Sequence, residues 1–132
     1  MKNNEKVDGK YVQFLFTFRG NRGNYMKRFG QLINLKPDGA DEYIKHHSAV
    51  WPGVLKTISD CNISNYSIFK KDLLLFAYFE YTGGDFEADM AKMAADPETQ
   101  RWWDVVKPLM QPVETRNAGE FWADMEEIFH ID

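Results

Sequence analysis

The segment DLLLFAYFEYT, residues 72–82, is apolar at seven consecutive positions from Leu73 to Phe79. Such a run is far too short to cross a membrane as a helix. Its leucine and aromatic content suits a strand. A strand with one wet face alternates apolar and polar residues, because successive side chains point to opposite faces. This one does not alternate, so cover is expected on both faces. The chain's own helices supply one layer; the same face of a second copy would supply the other. The stretch therefore predicts a two-layer α+β protomer whose sheet pairs face to face in a homodimer.

The surrounding sequence fits that frame. SNYSIFKK (64–71) reads as the strand before it, joined by a tight turn around Lys71–Asp72. KRFGQLINLK (27–36) reads as an earlier strand, with Phe29, Ile33 and Leu35 on one face. Between them, PDGADEYIKHH opens a helix with Asp38 as the expected N-cap and an acidic first turn. Pro52 disfavours helical geometry at Trp51, so the helix should break there and restart with Pro52 in its first turn. The restarted helix should carry Val54, Leu55 and Ile58 to the core and end near Cys61–Asn62. Downstream, GGDFEADMAKMAAD gives an amphipathic helix through Phe86, Met90 and Met93. In DPETQRWWDVVKPLM, Asp96 caps a further helix, Pro97 takes its first position and Pro108 marks its decline. PVETRNAGE is loop. FWADMEEIFHI is expected as a final strand, alternating at Met125, Glu127, Phe129 and Ile131. The order β-α-β-β-α-β is the ferredoxin-like split βαβ arrangement: an antiparallel sheet with helices on one face. Residues 1–25 stand apart as an N-terminal extension. Val12, Phe14, Phe16 and Phe18 would lie on one side of a candidate edge strand that the glycines of RGNRGN end. Residues 26–132 form the domain.

At 132 residues the chain is one domain's worth of sequence. A formal charge of −4 and a pI near 5.4 lack the basic footprint of a nucleic-acid binder. A lone cysteine, Cys61, has no internal partner and fits a reducing compartment. YVQFLFTF is too short and too polar for a secretory signal and runs into RGNRGN rather than a small-residue cleavage site. A cytoplasmic location without membrane attachment is the expectation.

Candidate chemistry is concentrated in two patches. The sequence has no Gly-rich phosphate loop, no Cys-x-x-Cys and no His-Glu-x-x-His. The adjacent His46 and His47 would project about 100° apart on a helix and cannot share a metal without distortion. No metal site is expected. Tyr43 and His47, four apart, share one helical face; Trp51 extends the row if the helix persists. Trp102 and Trp103 form the second patch, again about 100° apart, so one can pack while the other faces a cleft. Ordinary packing with a satisfied histidine accounts for the same row equally well.

Taken together, these blocks resemble the L-rhamnose mutarotases. The pattern EYxxxHxxxWP is matched by Glu42, Tyr43, His47, Trp51 and Pro52; NYxI by Asn65, Tyr66 and Ile68; QRWW by Gln100 to Trp103. The ending EEIFHID is similar to that family's terminal strand. The likeness runs from about Met26 to Asp132. It implies a dimeric α+β barrel of ferredoxin-like protomers, no cofactor, and a monosaccharide substrate. It further implies that His47 is the catalytic proton donor and that Tyr43, Tyr66, Trp102 and Trp103 contact the sugar; His46 has no part in it.

The chemistry so implied suits these residue types. Interconverting α and β anomers requires a proton delivered to the ring oxygen and one removed from the anomeric hydroxyl, then the reverse. General acid–base catalysis suffices, and histidine exchanges protons near neutral pH. Aromatic planes can cover the apolar face and methyl group of a 6-deoxy sugar. Alternative readings are a mutarotase for another 6-deoxy sugar such as L-fucose, a monooxygenase on the same fold, and a non-catalytic ligand-binding dimer.

Overall fold

The computed structural model describes residues 26–132; the candidate edge strand and the rest of the extension lie outside the described residues. Strand β1, Lys27–Leu35, is the spine of a five-stranded antiparallel sheet. A tight turn at Pro37–Gly39 leads into helix α1, Ala40–His47. Helix α2 follows at Pro52–Asp60. Strands β2, Ile63–Lys71, and β3, Leu74–Tyr81, form a hairpin whose turn holds Asp72 at φ 52°. Helices α3, Phe86–Ala95, and α4, Pro97–Val106, precede two short strands, β4 at Met110–Gln111 and β5 at Ala123–Met125. The sheet order is β2-β3-β1, with β4 and β5 both pairing antiparallel to β1, at Asn34–Leu35 and at Gly30–Leu32. This is the ferredoxin-like order, with the fourth strand position divided in two.

Local chemistry sets the helix boundaries. The Asp96 carboxylate accepts from the Thr99 N–H at 2.9 Å and the Thr99 hydroxyl at 2.8 Å, with Pro97 next in line. Asp85 caps α3 through the Ala88 N–H at 3.1 Å. Trp51 is extended, at φ −62° and ψ 136°, as the following proline requires. Asp38 departs from expectation. Pro37 opens a three-residue 3₁₀ turn ahead of the helix, so Gly39 becomes the N-cap of α1 and Asp38 stays exposed in the turn.

Ile33, Leu35, Leu75, Val54, Tyr43, Trp102, Val106 and Met110 make the main core between sheet and helices. Phe29, Ile63, Phe79 and Tyr81 make a second cluster beneath Phe86, Met90 and Met93. Cys61 is fully buried at the end of α2. Within α2, Val54 is buried and Ile58 packs against it, one helical turn on. Leu55, expected inward, is 53% exposed, because it lies about 100° around the helix from Val54.

The other sheet face carries Leu32, Phe69, Leu74, Phe76, Tyr78 and Met125, alternating with the core residues along each strand. Phe69 is 60% exposed there. The expected final strand is shorter than its alternation suggested. Among the described residues, 126–132 make no strand pairing, and Ile128, Phe129 and Ile131 lie in solvent. Glu127 instead grips Arg28 through two side-chain hydrogen bonds, at 2.8 and 2.9 Å. The periodicity is present, but a single protomer offers no neighbouring strand to receive it.

Candidate active site

Helix α1 brings Tyr43 and His47 onto one face, as their spacing of four requires. Their rings stack 4.0 Å apart between centroids, inclined by 24°. The His47 Nδ1 lies 2.9 Å from the Tyr43 carbonyl oxygen. A carbonyl only accepts, so Nδ1 carries the proton and Nε2 is left for a ligand. Burial pulls the His47 pKa below its ordinary value; the bond to Tyr43 opposes that, and nearby His46 adds to it. Trp102, buried in α4, sets its ring edge against His47 at 5.2 Å and against Trp51 at 5.3 Å. Helix α1 does not persist to Trp51, yet the loop returns that residue to the same cluster.

A cavity of about 320 Å³ opens beside the pair, between α1 and the sheet. Tyr43, Ile44, His47 and Ser48 line it from the helix; Ile68, Lys70 and Leu75 line it from the strands. Of the five site residues expected from sequence, Tyr43 and His47 are therefore in this wall and Trp102 braces it from behind. Tyr66 stands on β2, its ring stacked on Phe79 at 5.6 Å. Tyr66 is 42% exposed, and desolvation of its hydroxyl pushes the pKa up to about 12. The Tyr43 hydroxyl is likewise raised, first by burial and then by the charge Tyr66 would carry, so the two phenols sense one another. Both stay protonated donors at neutral pH. Trp103 faces elsewhere: the Lys107 ammonium sits 4.4 Å above its ring and 5.2 Å from Phe121.

Ser48, Ile68 and Lys70 were not foreseen as lining residues. The signal for two of them lay in strand alternation, since Tyr66, Ile68 and Lys70 are spaced by two. Among the described residues, no group of three or more His, Cys, Asp or Glu is assembled to hold a metal, and no helix is long and apolar enough to cross a membrane.

The divided antiparallel sheet, its one-sided helical layer and the cleft between them define an α+β barrel-type protein. Two solved structures share the architecture: an L-rhamnose mutarotase from Formosa agariphila, with TM-score 0.61 and 24% identity over 80% of this chain and 99% of that one, and the tetracenomycin F2 cyclase of Streptomyces glaucescens, with TM-score 0.56 and 12% identity over 80% of this chain and 97% of that one. Within that class the chain belongs to the L-rhamnose mutarotase family, whose model matches residues 28–131. An L-rhamnose mutarotase from Oceanobacillus iheyensis is 36% identical over 109 residues, covering 81% of this chain and all of the relative. Membership makes the chain a carbohydrate isomerase.

Proposed function

We propose that the chain interconverts the α and β anomers of L-rhamnose, with His47 as the proton-transferring residue. The observation that carries this reading is the fixed His47 tautomer: Nδ1 is held by the Tyr43 carbonyl, and the ring borders the cavity. As the imidazolium, His47 delivers its Nε2 proton to the ring oxygen while a general base takes the anomeric hydroxyl proton; reclosure on the other face reverses both transfers. Its depressed pKa makes the imidazolium a stronger acid. The Tyr43 and Tyr66 hydroxyls address sugar hydroxyls. Of the α4 pair, Trp102 bears on the sugar through His47, which its ring braces. Ile44, Ile68 and Leu75 offer an apolar wall for the methyl group and C–H face of a 6-deoxy hexose. The cavity volume lies at the small end of the usual range for ligand sites, about 300–1,000 Å³.

The apolar outer sheet face supports a homodimer, the enzyme's working form in this reading. Every matched motif is downstream of residues 1–25, so the activity is assigned to residues 26–132. A single, fully buried cysteine accords with the cytoplasm. Saturation-transfer NMR on a panel of free reducing sugars tests the activity directly. Enzyme-dependent anomer exchange of L-rhamnose is expected. Exchange of L-fucose in preference would reassign the substrate, and no exchange of any sugar would sink the proposal.

A further inference from the structure

Strand β2 changes register partway along. Ser64 pairs with Glu80, but Ser67 pairs with Tyr78, so Asn65 and Tyr66 together oppose Phe79: a β-bulge. The bulge decides which side of β2 builds the cavity. Without it, Tyr66, Ile68 and Lys70 would share the outer face with Ser64, because a one-residue slip moves every side chain to the opposite side. With it, Tyr66 stacks on the core residue Phe79, Ile68 pairs with Ala77, and Lys70 pairs with Leu75. All three then stand on the helix side of the sheet.

Two features hold the extra residue in place. Asn65 adopts φ 47°, a left-handed conformation that asparagine tolerates better than most residues. Its Nδ2 donates to both carboxylate oxygens of Glu80, at 2.8 and 2.7 Å. Glu80 is 8% exposed, on a strand whose neighbours are almost all apolar. A carboxylate is costly to bury unless hydrogen bonds hold it, so its presence here calls for a role.

We propose that Glu80 is a positioning residue for the sugar site: it pins the Asn65 bulge that turns Ile68 and Lys70 into the cavity wall and sets Tyr66 on the same side of the sheet. It acts through Asn65 and touches no substrate. The inference rests on the reading of the Tyr66 face as sugar-contacting surface.

The test compares Glu80→Ala, Glu80→Gln, Asn65→Ala, the Asn65→Ala/Glu80→Ala double variant and Tyr66→Phe in the full chain. Anomer exchange of L-rhamnose is read by saturation transfer at several sugar concentrations. The Tyr66 ring is read by NMR of protein carrying ¹³C-labelled tyrosine. Glu80→Ala should raise KM and lower kcat/KM by about 10–100-fold, the scale of a misplaced positioning group, and should shift the Tyr66 resonance. Glu80→Gln, whose amide oxygen still accepts from Asn65, should restore most of both. The double variant should be no worse than Asn65→Ala alone, since a residue acting wholly through its partner shows no separate effect. If Glu80→Ala fails to fold, Asn65→Gly, which keeps the left-handed backbone but lacks the amide, carries the same comparison.

An unchanged KM with an unmoved Tyr66 resonance in Glu80→Ala would overturn the proposal. So would additive losses in the double variant, which would place the effect of Glu80 on the outer sheet face instead. A shifted Tyr66 resonance without loss of exchange, together with a fully active Tyr66→Phe, would overturn the sugar-contact reading of Tyr66 while leaving the latch itself demonstrated.

Discussion

His47 is tied twice to Tyr43, one turn earlier on the same helix: its ring lies against the tyrosine ring at 4.0 Å, and its Nδ1 binds the tyrosine carbonyl at 2.9 Å. Tyr43 therefore fixes the tautomer and stacks the ring, and Trp102 backs it. His46, its neighbour in sequence, is held loosely by Glu42 at 3.4 Å, on another side of the helix.

That asymmetry separates the two histidines in function. His47→Ala should cut enzyme-dependent anomer exchange by about 10²–10⁴-fold, the usual worth of a general acid or base. His46→Ala should retain most of the rate. Spontaneous mutarotation must be subtracted, and circular dichroism should show both variants folded. Equal, mild losses would return the stretch to a packing role.

The depressed pKa of His47 also has a sign in stability. The folded protein binds the proton less readily than the unfolded chain, where histidine titrates near 6.5. The contribution is complete above about pH 6.5 and is lost as pH falls through that value toward the folded pKa. Urea midpoints of the wild type and of His47→Gln, compared between about pH 8 and about pH 5, should converge or cross in acid. Parallel profiles would show that His47 is not the group responsible.

Trp102 should behave as support before it behaves as a binding surface. It is 5% exposed and edges onto both His47 and Trp51. Trp102→Ala should cost about 3–5 kcal/mol of folding stability, as for other large-to-small core changes. Trp103→Ala, at a half-buried ring, should cost clearly less. Chemical denaturation of the two variants reads the difference, and the reverse ranking would contradict the packing described.

Phe69 projects from the outer sheet face. A charge there should be harmless to a monomer and disruptive to a paired sheet. Phe69→Glu is expected to convert a dimeric species to a 15.4 kDa monomer in sedimentation at micromolar concentration. A wild type that already sediments as a monomer would remove the dimer from the account.

Deletion of residues 1–25 should leave anomer exchange intact, because the matched motifs and the cavity lie beyond them. A truncated protein that folds but no longer exchanges anomers would assign the extension a part in the site.

What the sequence made legible follows a physical line. Asp96–Pro97, Pro52 and the Lys71–Asp72 turn act through their own backbone and immediate neighbours, so residue type alone exposed them. The inward face of β1 followed from its period of two. Asn65 was not legible as a bulge, because the register shift exists only relative to β3 and is held by a carboxylate fifteen residues away. The tail from Glu126 to Asp132 misled for a related reason: alternation announces a strand, but pairing needs a neighbour. Asp38 and Leu55 were matters of one position on a turn, finer than spacing resolves. Tyr43 and His47 were visible together because i, i+4 contact is intrinsic to a helix; alternation likewise groups Lys70 with Tyr66 and Ile68, but the side of the sheet they share depends on that unseen bulge.

The division of the fourth strand has a practical side. Since β4 and β5 both hang on β1, the chain between them leaves and re-enters the sheet at one strand, while Phe121 and Trp122 pack back onto the main core. The exposed tip, residues 114–119, is thus a closed excursion whose ends are already fixed. Lengthening such an excursion costs little, about 0.6 kcal/mol for each doubling. A fluorescent reporter or affinity module spliced in at this tip would disturb only local bonds such as Asn117 to Glu120 and leave the strand pairing on β1 intact, making the loop a natural port for tagging the enzyme.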